Sequence, residues 1–516
     1  MGVKFLKANE AANLVSDGDL IVTGGFVGSC CPECLTKALE NRFLETSSPK
    51  NLTLMYAAAQ GDGNGKGADR FAHAGMIKRV LGGHWNLSPA LGKMAINNEI
   101  EAYNLPQGTL SQLFRDIAGK RIGTITHVGL NTFVDPRIQG GKLNEITKKD
   151  IVELITIKDE EKLLYKSFPI DICFLRGSFA DEKGNVTLEN EVASLEVTSI
   201  AQATKNTGGI VIVQVEKVVE SGTLDPRLVK IPGIYVDAVV VSEPQDHEQC
   251  FGCEFESART GKVRIPVSSV VKAPLNQRKV IARRAALELK PDTTVNLGIG
   301  IPEVISSVAN EEGIGEYMTL TVESGPIGGI PEGGTAFGAC INPESILDQA
   351  YQFDFYDGGG LDLAFLGLAQ TDKDGNINVS KFGPRIAGCG GFINITQNSK
   401  KVFFCGTFTA GGLKIDVKDG KLNILKEGKS KKFINQVEQI TFSGEYAKKI
   451  KQPVMYITER AVFELKDDGV YLTEIAPGID LQKDILDLMD FKPKMDCVPK
   501  LMDSRIFFDE PMGLKK

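Results

Sequence analysis

A strand, a glycine-rich turn and the start of a helix occur in the same order twice in this chain of 516 residues. The first copy spans residues 19–33 and the second spans residues 294–303. The glycines of the two turns are Gly24, Gly25 and Gly28 in the first copy and Gly298 and Gly300 in the second. Each copy follows a stretch whose apolar residues have helical spacing, at 8–14 and 280–289. The pattern predicts two similar α/β domains in tandem, and chance similarity between two strand–turn–helix units is the alternative.

Several further segments read as buried strands because they are apolar almost throughout, as strands of parallel sheets are. These segments are 210–215, 238–242, 363–366 and 401–405. A helix is predicted from Asn342-Pro343 to about Phe353, since a capping residue, a proline and an acidic first turn follow one another there. The polar, proline-bearing stretch 243–278 lacks periodicity and is the predicted crossing between domains. We therefore expect an N-terminal domain over residues 1–270 and a C-terminal domain over residues 271–516.

Composition and charge restrict the classes of partner. The chain is 42% hydrophobic and 24% charged, with a formal net charge of −7. Nucleic-acid-binding proteins usually carry a basic surface, so a nucleic acid partner is not expected. No apolar run approaches the ~18–20 residues that cross a bilayer, and the N-terminus lacks the apolar core of a signal peptide. The sequence predicts a cytoplasmic protein without a membrane partner.

Glu323 ends an apolar, β-branched run, Met318-Thr-Leu-Thr-Val, and the turn Ser324-Gly-Pro follows it. In an α/β protein this pattern presents a side chain at the carboxyl end of a strand, where ligands bind. A carboxylate at such a position can be a general base, a metal ligand or a nucleophile.

Four glycine clusters accompany this carboxylate, and three of them lie in the same half of the chain. They are Gly24-Gly25 with Gly28, Gly298 with Gly300, residues 357–362, and residues 388–394, which contain Gly388 and Gly391. Glycine lets the backbone approach a ligand closely and leaves N–H groups free to face an anion. The alternative is that the turns of α/β proteins are generally rich in glycine.

Motifs for several other chemistries are absent or incomplete. Glu303 stands where the third glycine of a dinucleotide-binding fingerprint would be, and neither a phosphate-binding loop nor a nucleophile elbow occurs. The four histidines have no metal-binding spacing, although His73 and His84 could line a substrate entrance. The CxxC pairs Cys31/Cys34 and Cys250/Cys253 could in principle bind zinc, but small packing residues are the favoured interpretation. No metal is therefore predicted.

Without a metal, nucleotide or histidine, a carboxylate can attack an activated acyl group directly. The product is an acyl anhydride, which suits reversible transfer between two thioesters of similar energy. N–H groups of the glycine turns could stabilise the oxyanion formed at each addition step. A structural carboxylate or a general base remains open at this point.

The residues around Glu323 resemble those of a known family. Residues 323–329 resemble the catalytic glutamate motif of family I coenzyme A transferases, and residues 357–363 and 388–395 are similar to two further glycine motifs of that family. In the first half, residues 82–85, 101–108 and 134–137 resemble the propionate CoA-transferase branch. The resemblance extends from about Asn9 to Leu514. One departure is Cys30-Cys31 before Pro32, where small residues of other kinds are expected.

This resemblance implies two tandem open α/β domains of the CoA-transferase, Rossmann-like type. It also implies transfer of coenzyme A between short acyl-CoAs and short monocarboxylates such as acetate, propionate, lactate, acrylate or butyrate. CoA would be a substrate, held transiently as a thioester on Glu323, with no tightly bound cofactor. The expected CoA-binding residues are Gly298, Gly300, Gly388 and Gly391, and those facing the acyl pocket are Gly24, Gly25 and Gly28. A homo-oligomer, often a tetramer, is expected, and an acyl-CoA hydrolase and a non-catalytic acyl-CoA sensor are the alternatives.

Overall fold

The computed structural model describes residues 2–266 and 273–515, which form two compact units. The first unit contains Met1–Ile265, Val322–Asp354 and Phe382–Asn394, and the second contains Pro266–Thr321, Phe355–Lys381 and Ile395–Lys516. The predicted domain boundary at residue 270 and part of the predicted crossing lie outside the described residues. The division of the chain at that residue stays a prediction.

An all-parallel sheet forms the framework of the first unit, with the strand order β1-β8-β7-β6-β2-β3-β4-β5. Its strands are β1 (Lys4–Phe5), β2 (Leu20–Thr23), β3 (Leu52–Tyr56), β4 (Ile77–Gly82), β5 (Glu101–Asn104), β6 (Ile172–Arg176), β7 (Ile210–Val215) and β8 (Ala238–Val241). β3 and β6 are buried along their whole length, as strands covered on both faces are. The chain order reverses between β2 and β6, so this sheet has the open α/β topology whose ligands bind beyond the carboxyl ends of the strands.

The second unit contains eight consecutive strands of another sheet, in the order β10-β9-β11-β12-β13-β14-β15-β16. Its strands are β9 (Thr293–Leu297), β10 (Met318–Thr321), β11 (Leu363–Gly367), β12 (Lys401–Cys405), β13 (Val454–Ile457), β14 (Ala461–Lys466), β15 (Gly469–Ile475) and β16 (Lys500–Leu501). β9 to β13 run parallel, whereas β14 is antiparallel to both of its neighbours. Chain order reverses between β9 and β11, so the carboxyl ends of these strands are again the expected ligand edge.

The α-helices connect the strands of both sheets. They are α1 (Ala8–Ala12), α2 (Glu33–Thr46), α3 (Pro89–Ile96), α4 (Gln107–Ala118), α5 (Val197–Asn206), α6 (Gln277–Ala286), α7 (Val304–Glu311), α8 (Gln349–Asp357), α9 (Phe392–Asn398), α10 (Gly444–Lys449) and α11 (Leu481–Asp484). Among the described residues, none of these helices is long and apolar enough to cross a membrane. The α/β class predicted from the sequence is confirmed, including the strand–turn–helix order of both copies of the repeat.

The remaining strands are short. They are Gly123–Thr126, Val152–Ile157, Glu160–Lys166, Phe179–Asp181, Val186–Thr187, Lys217–Val219, Val229–Ile231, Pro326–Ile327, Ile330–Pro331, Cys340–Ile341, Ser345–Ile346, Gln370–Asp372, Ile377–Asn378, Lys381–Phe382, Arg385–Ile386, Thr409–Ala410, Lys414–Lys418, Lys421–Lys426, Ser430–Lys431 and Phe433–Ile434.

The predicted helix from Asn342 to Phe353 is wrong at its start. Ser345–Ile346 pairs antiparallel with Pro326–Ile327, so the first part of the predicted helix is a strand. Asn342 adopts the left-handed conformation, with φ of 56°, and its side chain hydrogen-bonds both backbone groups of Ile265 instead of capping a helix. α8 begins only at Gln349. Long-range strand pairing overrides the local capping signal here.

Two apolar clusters lie in the core of the first unit. The larger one surrounds the main sheet and includes Trp85 and Leu54, both fully buried. The smaller one joins the turn after β2 to the segment that follows Glu323, and it contains Phe26, Cys30, Cys250 and Phe337. The Phe26 and Phe337 rings stack at a centroid distance of 5.9 Å.

Candidate active site

Glu323 lies in a tight turn two residues after β10 ends. The Val322 N–H donates to the Pro326 carbonyl at 2.9 Å, and the Gly325 N–H donates back to the Val322 carbonyl at 3.0 Å. Gly325 has φ of 126°, and a Cβ there would lie 2.0 Å from the Leu347 carbonyl oxygen, so only glycine fits. The buried Ser324 hydroxyl donates to the Gly338 carbonyl. This turn fixes the backbone on both sides of Glu323.

Two groups of the first unit face the Glu323 carboxylate. A Cβ on Gly391 would lie 2.6 Å from Glu323 Oε2, so the Gly391 backbone meets the carboxylate directly. The Gly391 N–H and the Gln107 amide both favour the ionised carboxylate. Gln107 is only 3% exposed, and its Nε2 has no hydrogen-bond partner among the described residues. The Gln107 side-chain amide therefore lowers the pKa of Glu323 without forming a hydrogen bond to its carboxylate. The amide remains available as a donor.

Burial dominates the acidity of Glu323. Desolvation raises the pKa of this carboxyl to about 7, although the Gln107 amide and the Gly391 N–H lower it. The side chain nevertheless keeps partial contact with solvent. A carboxylate with its pKa near neutrality is poorly solvated and still largely ionised at physiological pH.

Loops after β4 and β5 hold the segment 387–391 against Glu323. The Gly390 N–H donates to the Gly83 carbonyl at 2.7 Å, and the Gln107 N–H donates to the Gly390 carbonyl at 2.9 Å. The Trp85 N–H donates to the Ala387 carbonyl at 2.8 Å. The loop that carries Gly391 is thus fixed to the carboxyl edge of the first sheet, where the α/β topology places ligands.

Asn104, the last residue of β5, joins these three loops through its side chain. Its Nδ2 donates to the carbonyls of Gly82 and Gly83 at 2.9 Å and 2.6 Å. Its Oδ1 accepts from the Cys389 N–H at 2.9 Å. The side chain is fully buried, and all of its hydrogen-bonding groups position backbone beside Glu323.

His84 and Trp85 complete this wall of the site. A Cβ on Gly388 would lie 2.8 Å from the His84 Cα, and Gly388 has φ of 83°, so glycine is required there. Burial lowers the pKa of His84 to about 4, and the nearby Arg385 guanidinium acts in the same direction, so the ring is neutral. His84 Nδ1 and Trp85 Nε1 are buried without hydrogen-bond partners within the described part of the chain. His73 instead hydrogen-bonds Glu40 and packs against the tilted Phe43 ring, and its described contacts do not include this wall.

The other predicted glycines occupy different places. A Cβ on Gly28 would lie 2.7 Å from the Thr335 carbonyl oxygen, and Gly338 packs on the Phe26 ring. The Gly24–Gly28 turn therefore meets the segment that follows Glu323, whereas its described contacts do not include the carboxylate. Gly298 belongs to the second unit, where its N–H donates to the Phe365 carbonyl at 2.8 Å and Gly300 has φ of 91°.

Sequence reasoning does not single out Gln107 and Asn104. Both lie in residues 101–108, whose only distinguishing mark in the sequence is their similarity to a family. The usable signal is their position, because polar residues directly after a buried strand face the ligand edge of a parallel sheet.

Neither CxxC pair contributes to a metal-binding group in the described residues, where Glu191, Glu216 and His247 form the only cluster with suitable spacing. Burial alone would raise the pKa of Glu191. Arg176 and His247 nevertheless hold this pKa at about 2. Arg176 Nε donates to Glu191 Oε1 at 2.9 Å. Arg176, which is not a member of the cluster, thus already neutralises one of its carboxylates.

The tautomer of His247 also argues against a metal in this cluster. Gln214 Nε2 lies 3.0 Å from His247 Nδ1 and donates to the Asp246 carbonyl at 3.1 Å, while Gln214 Oε1 accepts from a backbone N–H at 3.0 Å. This network assigns Nδ1 as the acceptor, so Nε2 carries the hydrogen and lacks the lone pair that a metal needs.

Comparison with known proteins identifies the family. The coenzyme A transferase family model matches residues 5–242. The chain is 47% identical to the acetate CoA-transferase YdiF of Escherichia coli K12 over 512 residues, covering 99% of this chain and 96% of that protein. It is also 47% identical to the caffeate CoA-transferase of Acetobacterium woodii over 519 residues, covering 99% and 98%.

The chain belongs to the coenzyme A transferase family.

A solved structure of a family member agrees with this fold. The acyl-CoA transferase YdiF of E. coli O157:H7, in a thioester complex with CoA, matches with a TM-score of 0.94 at 46% identity, covering 100% of this chain and 98% of that one. As a coenzyme A transferase, the enzyme moves CoA between acyl-CoAs and carboxylates.

Proposed function

We propose that the enzyme transfers coenzyme A between short-chain acyl-CoAs and short-chain monocarboxylates in a ping-pong reaction through a thioester on Glu323. The observation that carries this proposal is the Glu323 carboxylate in direct contact with the Gly391 backbone, with Gln107 Nε2, which has no hydrogen-bond partner among the described residues, beside it. This arrangement combines a nucleophile with two donors for a developing negative charge.

The reaction proceeds through exchange of bonds at two carbonyl carbons. A Glu323 oxygen attacks the thioester carbonyl carbon to form a tetrahedral intermediate. The C–S bond of this intermediate then breaks, CoA leaves as a thiolate, and an acyl-glutamyl anhydride remains. The thiolate then attacks the Glu323 carbonyl carbon, and the first carboxylate leaves to give glutamyl-CoA. A second carboxylate attacks that thioester and reverses the sequence, so no net proton, electron or water is consumed.

The acidity of Glu323 supports the nucleophilic role. With its pKa raised to about 7, the carboxylate is more basic than an exposed glutamate and is still substantially ionised at neutral pH. Partial desolvation increases the reactivity of the attacking oxygen.

The Gly391 N–H and Gln107 Nε2 are the proposed donors to the oxyanion at each addition step. Loss of one such donor typically reduces kcat by about 100- to 1,000-fold. The hydrogen bonds of Asn104 and Gly83 hold the loop that carries Gly391 in position before substrate binds, so little reorganisation of this donor is needed.

Acetate, propionate, lactate, acrylate and butyrate are the proposed acceptors. The 47% identity to an acetate CoA-transferase supports this range, while equal identity to a caffeate CoA-transferase makes a hydroxycinnamate the informative competitor. One methylene in an apolar pocket changes binding by only about 1–3 kcal/mol, so several short acids should react. A homotetramer in the cytoplasm remains part of this proposal.

Mass spectrometry of the intact enzyme after mixing with acetyl-CoA tests the covalent intermediate. We expect an increment that corresponds to CoA on the peptide containing Glu323, and its removal by added propionate with formation of propionyl-CoA. E323Q should bind acetyl-CoA but form no adduct, because an amide cannot attack the thioester.

Two other results would overturn the proposal. Release of free CoA at the same rate with and without a carboxylate acceptor would identify a hydrolase. Saturable acetyl-CoA binding without an adduct or turnover, in protein with a cooperative thermal transition, would identify a binding protein.

A further inference from the structure

Helix α8 presents two buried glutamines on one face. Gln349 and Gln352 are three residues apart, so their side chains are neighbours on the surface of the helix. Both residues are fully buried within the first unit. Both side-chain amides donate hydrogen bonds outside α8, and each bond reaches the backbone support of a group proposed for catalysis.

Gln352 fixes the peptide group that precedes the nucleophile. Its Nε2 donates to the Val322 carbonyl at 3.2 Å. This carbonyl belongs to the peptide group that joins Val322 to Glu323, and it also accepts from the Gly325 N–H at 3.0 Å. A peptide group is planar, so it cannot rotate without disturbing both bonds. Gln352 therefore restricts the direction in which the Glu323 side chain leaves the backbone.

Gln349 supports the first turn of α4 in the same way. Its Nε2 donates to Ser111 Oγ at 2.7 Å, and Ser111 Oγ donates to the Gln107 carbonyl at 3.0 Å. On its other side, the Gln107 N–H donates to the Gly390 carbonyl at 2.9 Å. Gln349 thus acts through Ser111 on the residue whose side-chain amide is the proposed oxyanion donor.

The Phe353 ring, which follows Gln352 in α8, packs against both parts of the site. A Cβ on Gly108, the residue after Gln107, would lie 2.4 Å from this ring, and a Cβ on Gly391 would lie 3.0 Å from it. Helix α8 therefore contacts the start of α4 and the loop that carries Gly391, in addition to the turn that carries Glu323.

Packing alone does not explain a glutamine at position 349. Gln349 Oε1 is buried and has no hydrogen-bond partner among the described residues. A buried acceptor without a partner costs stability, and an apolar side chain of similar volume would avoid this cost. What the amide contributes is the hydrogen bond to Ser111, which is directed at the backbone of Gln107.

We propose that Gln349 and Gln352 are positioning residues that together set the distance between the Glu323 nucleophile and the Gln107 donor. This inference rests on the proposed function for the roles of Glu323 and Gln107. A nucleophile and an oxyanion donor that are tied to one helix keep their separation when the substrate binds. Precision matters here, because a misplacement of about 1 Å can reduce a catalysed rate about 100-fold.

Removal of each amide tests the two contacts separately. Gln349→Met and Gln352→Met keep the length of the side chain and remove the donor. We expect each to slow single-turnover formation of the Glu323 adduct from acetyl-CoA by at least about tenfold. The KM for acetate should change much less, because neither side chain is proposed to touch substrate. Gln249→Met is the matched control and should keep the wild-type rate, since this buried glutamine of the first unit donates to the Asn190 carbonyl at 3.1 Å.

A double-mutant cycle separates positioning from a general loss of stability. In a Gln107→Ala background no side-chain amide is left to orient, so Q349M should change the rate by less than about twofold. Q352M acts on Glu323 and should still slow the reaction about tenfold in that background. Ser111→Ala should reproduce the effect of Q349M without adding to it, because both break the same chain of hydrogen bonds. If a methionine variant does not fold, S111A tests the first contact and Gln352→Leu tests the second.

Three outcomes would overturn the inference. The first is a wild-type rate of adduct formation in Q349M or in Q352M. The second is an effect of Q349M that is as large in the Q107A background as in the wild type. The third is a loss in Q249M as large as that in Q349M, since the burial of a glutamine would then explain both. Adduct formation by E323Q would instead refute the proposed function itself.

Discussion

At the scale of the residue, the environment of Glu323 predicts the pH dependence of the reaction. The pKa of this carboxyl is raised from 4.5 to about 7, chiefly by burial, and only the ionised form can attack a thioester. We expect kcat/KM for acyl-CoA to rise about tenfold per pH unit below 7 and to level off above it, since this parameter reports the free enzyme. Initial rates between pH 5 and 9 measure the profile. A profile that is flat from pH 5 to 7 would contradict the assignment of the nucleophile.

The same shift predicts how E323Q alters stability. A carboxyl whose folded pKa lies above its unfolded value stabilises the protein fully only below pH 4.5, and this contribution is lost as the pH rises through 7. Glutamine has no such titration. E323Q should therefore match the wild type near pH 4.5 and exceed it at pH 8 by up to the order of 2–3 kcal/mol. Denaturant titrations at both pH values provide the comparison, and a less stable E323Q at pH 8 would refute it.

Gly391 is predicted to be irreplaceable for a steric reason. A Cβ on Gly391 would lie 2.6 Å from Glu323 Oε2 and 3.0 Å from the Phe353 ring. Gly391→Ala should displace the carboxylate by a fraction of an ångström to 1 Å, and a misplacement of that size can reduce kcat by about 100-fold. Gly92→Ala is the control, because a Cβ on this helical glycine meets nothing within 4 Å. Steady-state kcat values decide the matter, and G391A with wild-type kcat would exclude the close contact.

At the scale of secondary-structure elements, Asn104 is predicted to act as a positioning residue. In Asn104→Asp, a carboxylate oxygen would face the Gly82 and Gly83 carbonyls in place of the donor that now bonds both. Loss of these bonds and burial of the acceptor should destabilise the enzyme by about 2–4 kcal/mol. The loop carrying Gly391 would also be released.

We therefore expect single-turnover formation of the Glu323 adduct to slow at least about tenfold in N104D, with a smaller change in KM. Asn423→Asp, at an exposed position of a hairpin, is the control for the change in charge. Because the introduced carboxylate can bind a proton, partial recovery of N104D at low pH would support the hydrogen-bonding explanation. If kcat and KM of N104D were impaired to the same extent at all pH values, general unfolding would explain the effect instead.

The strands and turns of this enzyme were largely predictable, whereas the assembly of its site was not. β7, β12 and the turn with Glu323 follow from short apolar runs that end in glycine or a polar residue, which are local signals. The contact between Gly391 and Glu323, by contrast, joins positions far apart in sequence through hydrogen bonds of the loops after β4 and β5. The helix start predicted at Asn342 is also wrong because of a long-range contact. Residues 345–346 pair with residues 326–327, which lie outside the local sequence window.

At the scale of the whole molecule, the chain returns to the first unit twice after leaving it. Residues 322–354 and 382–394 belong to the same compact unit as the N-terminal half. They supply Ala336, Phe337 and Ala339 to the smaller apolar cluster and Ile386 to the larger one. The groups proposed for catalysis, Glu323, Gly391 and Gln107, are therefore all members of one unit built from discontinuous segments.

This construction predicts that the N-terminal half does not fold normally by itself. A fragment of residues 1–266 lacks Phe337, which stacks on Phe26, and also the segment 387–390, which hydrogen-bonds the loops after β4 and β5. Exposure of the smaller cluster should make the fragment aggregate or unfold at a lower temperature than the full enzyme. Circular dichroism melts, together with binding of an apolar dye, measure this difference. Added peptides 322–354 and 382–394 should restore part of the transition, because they supply the missing core and carbonyl partners. A fragment that melts cooperatively at the temperature of the full enzyme, without these peptides, would show that its core is complete and that the two later segments only dock on a finished domain.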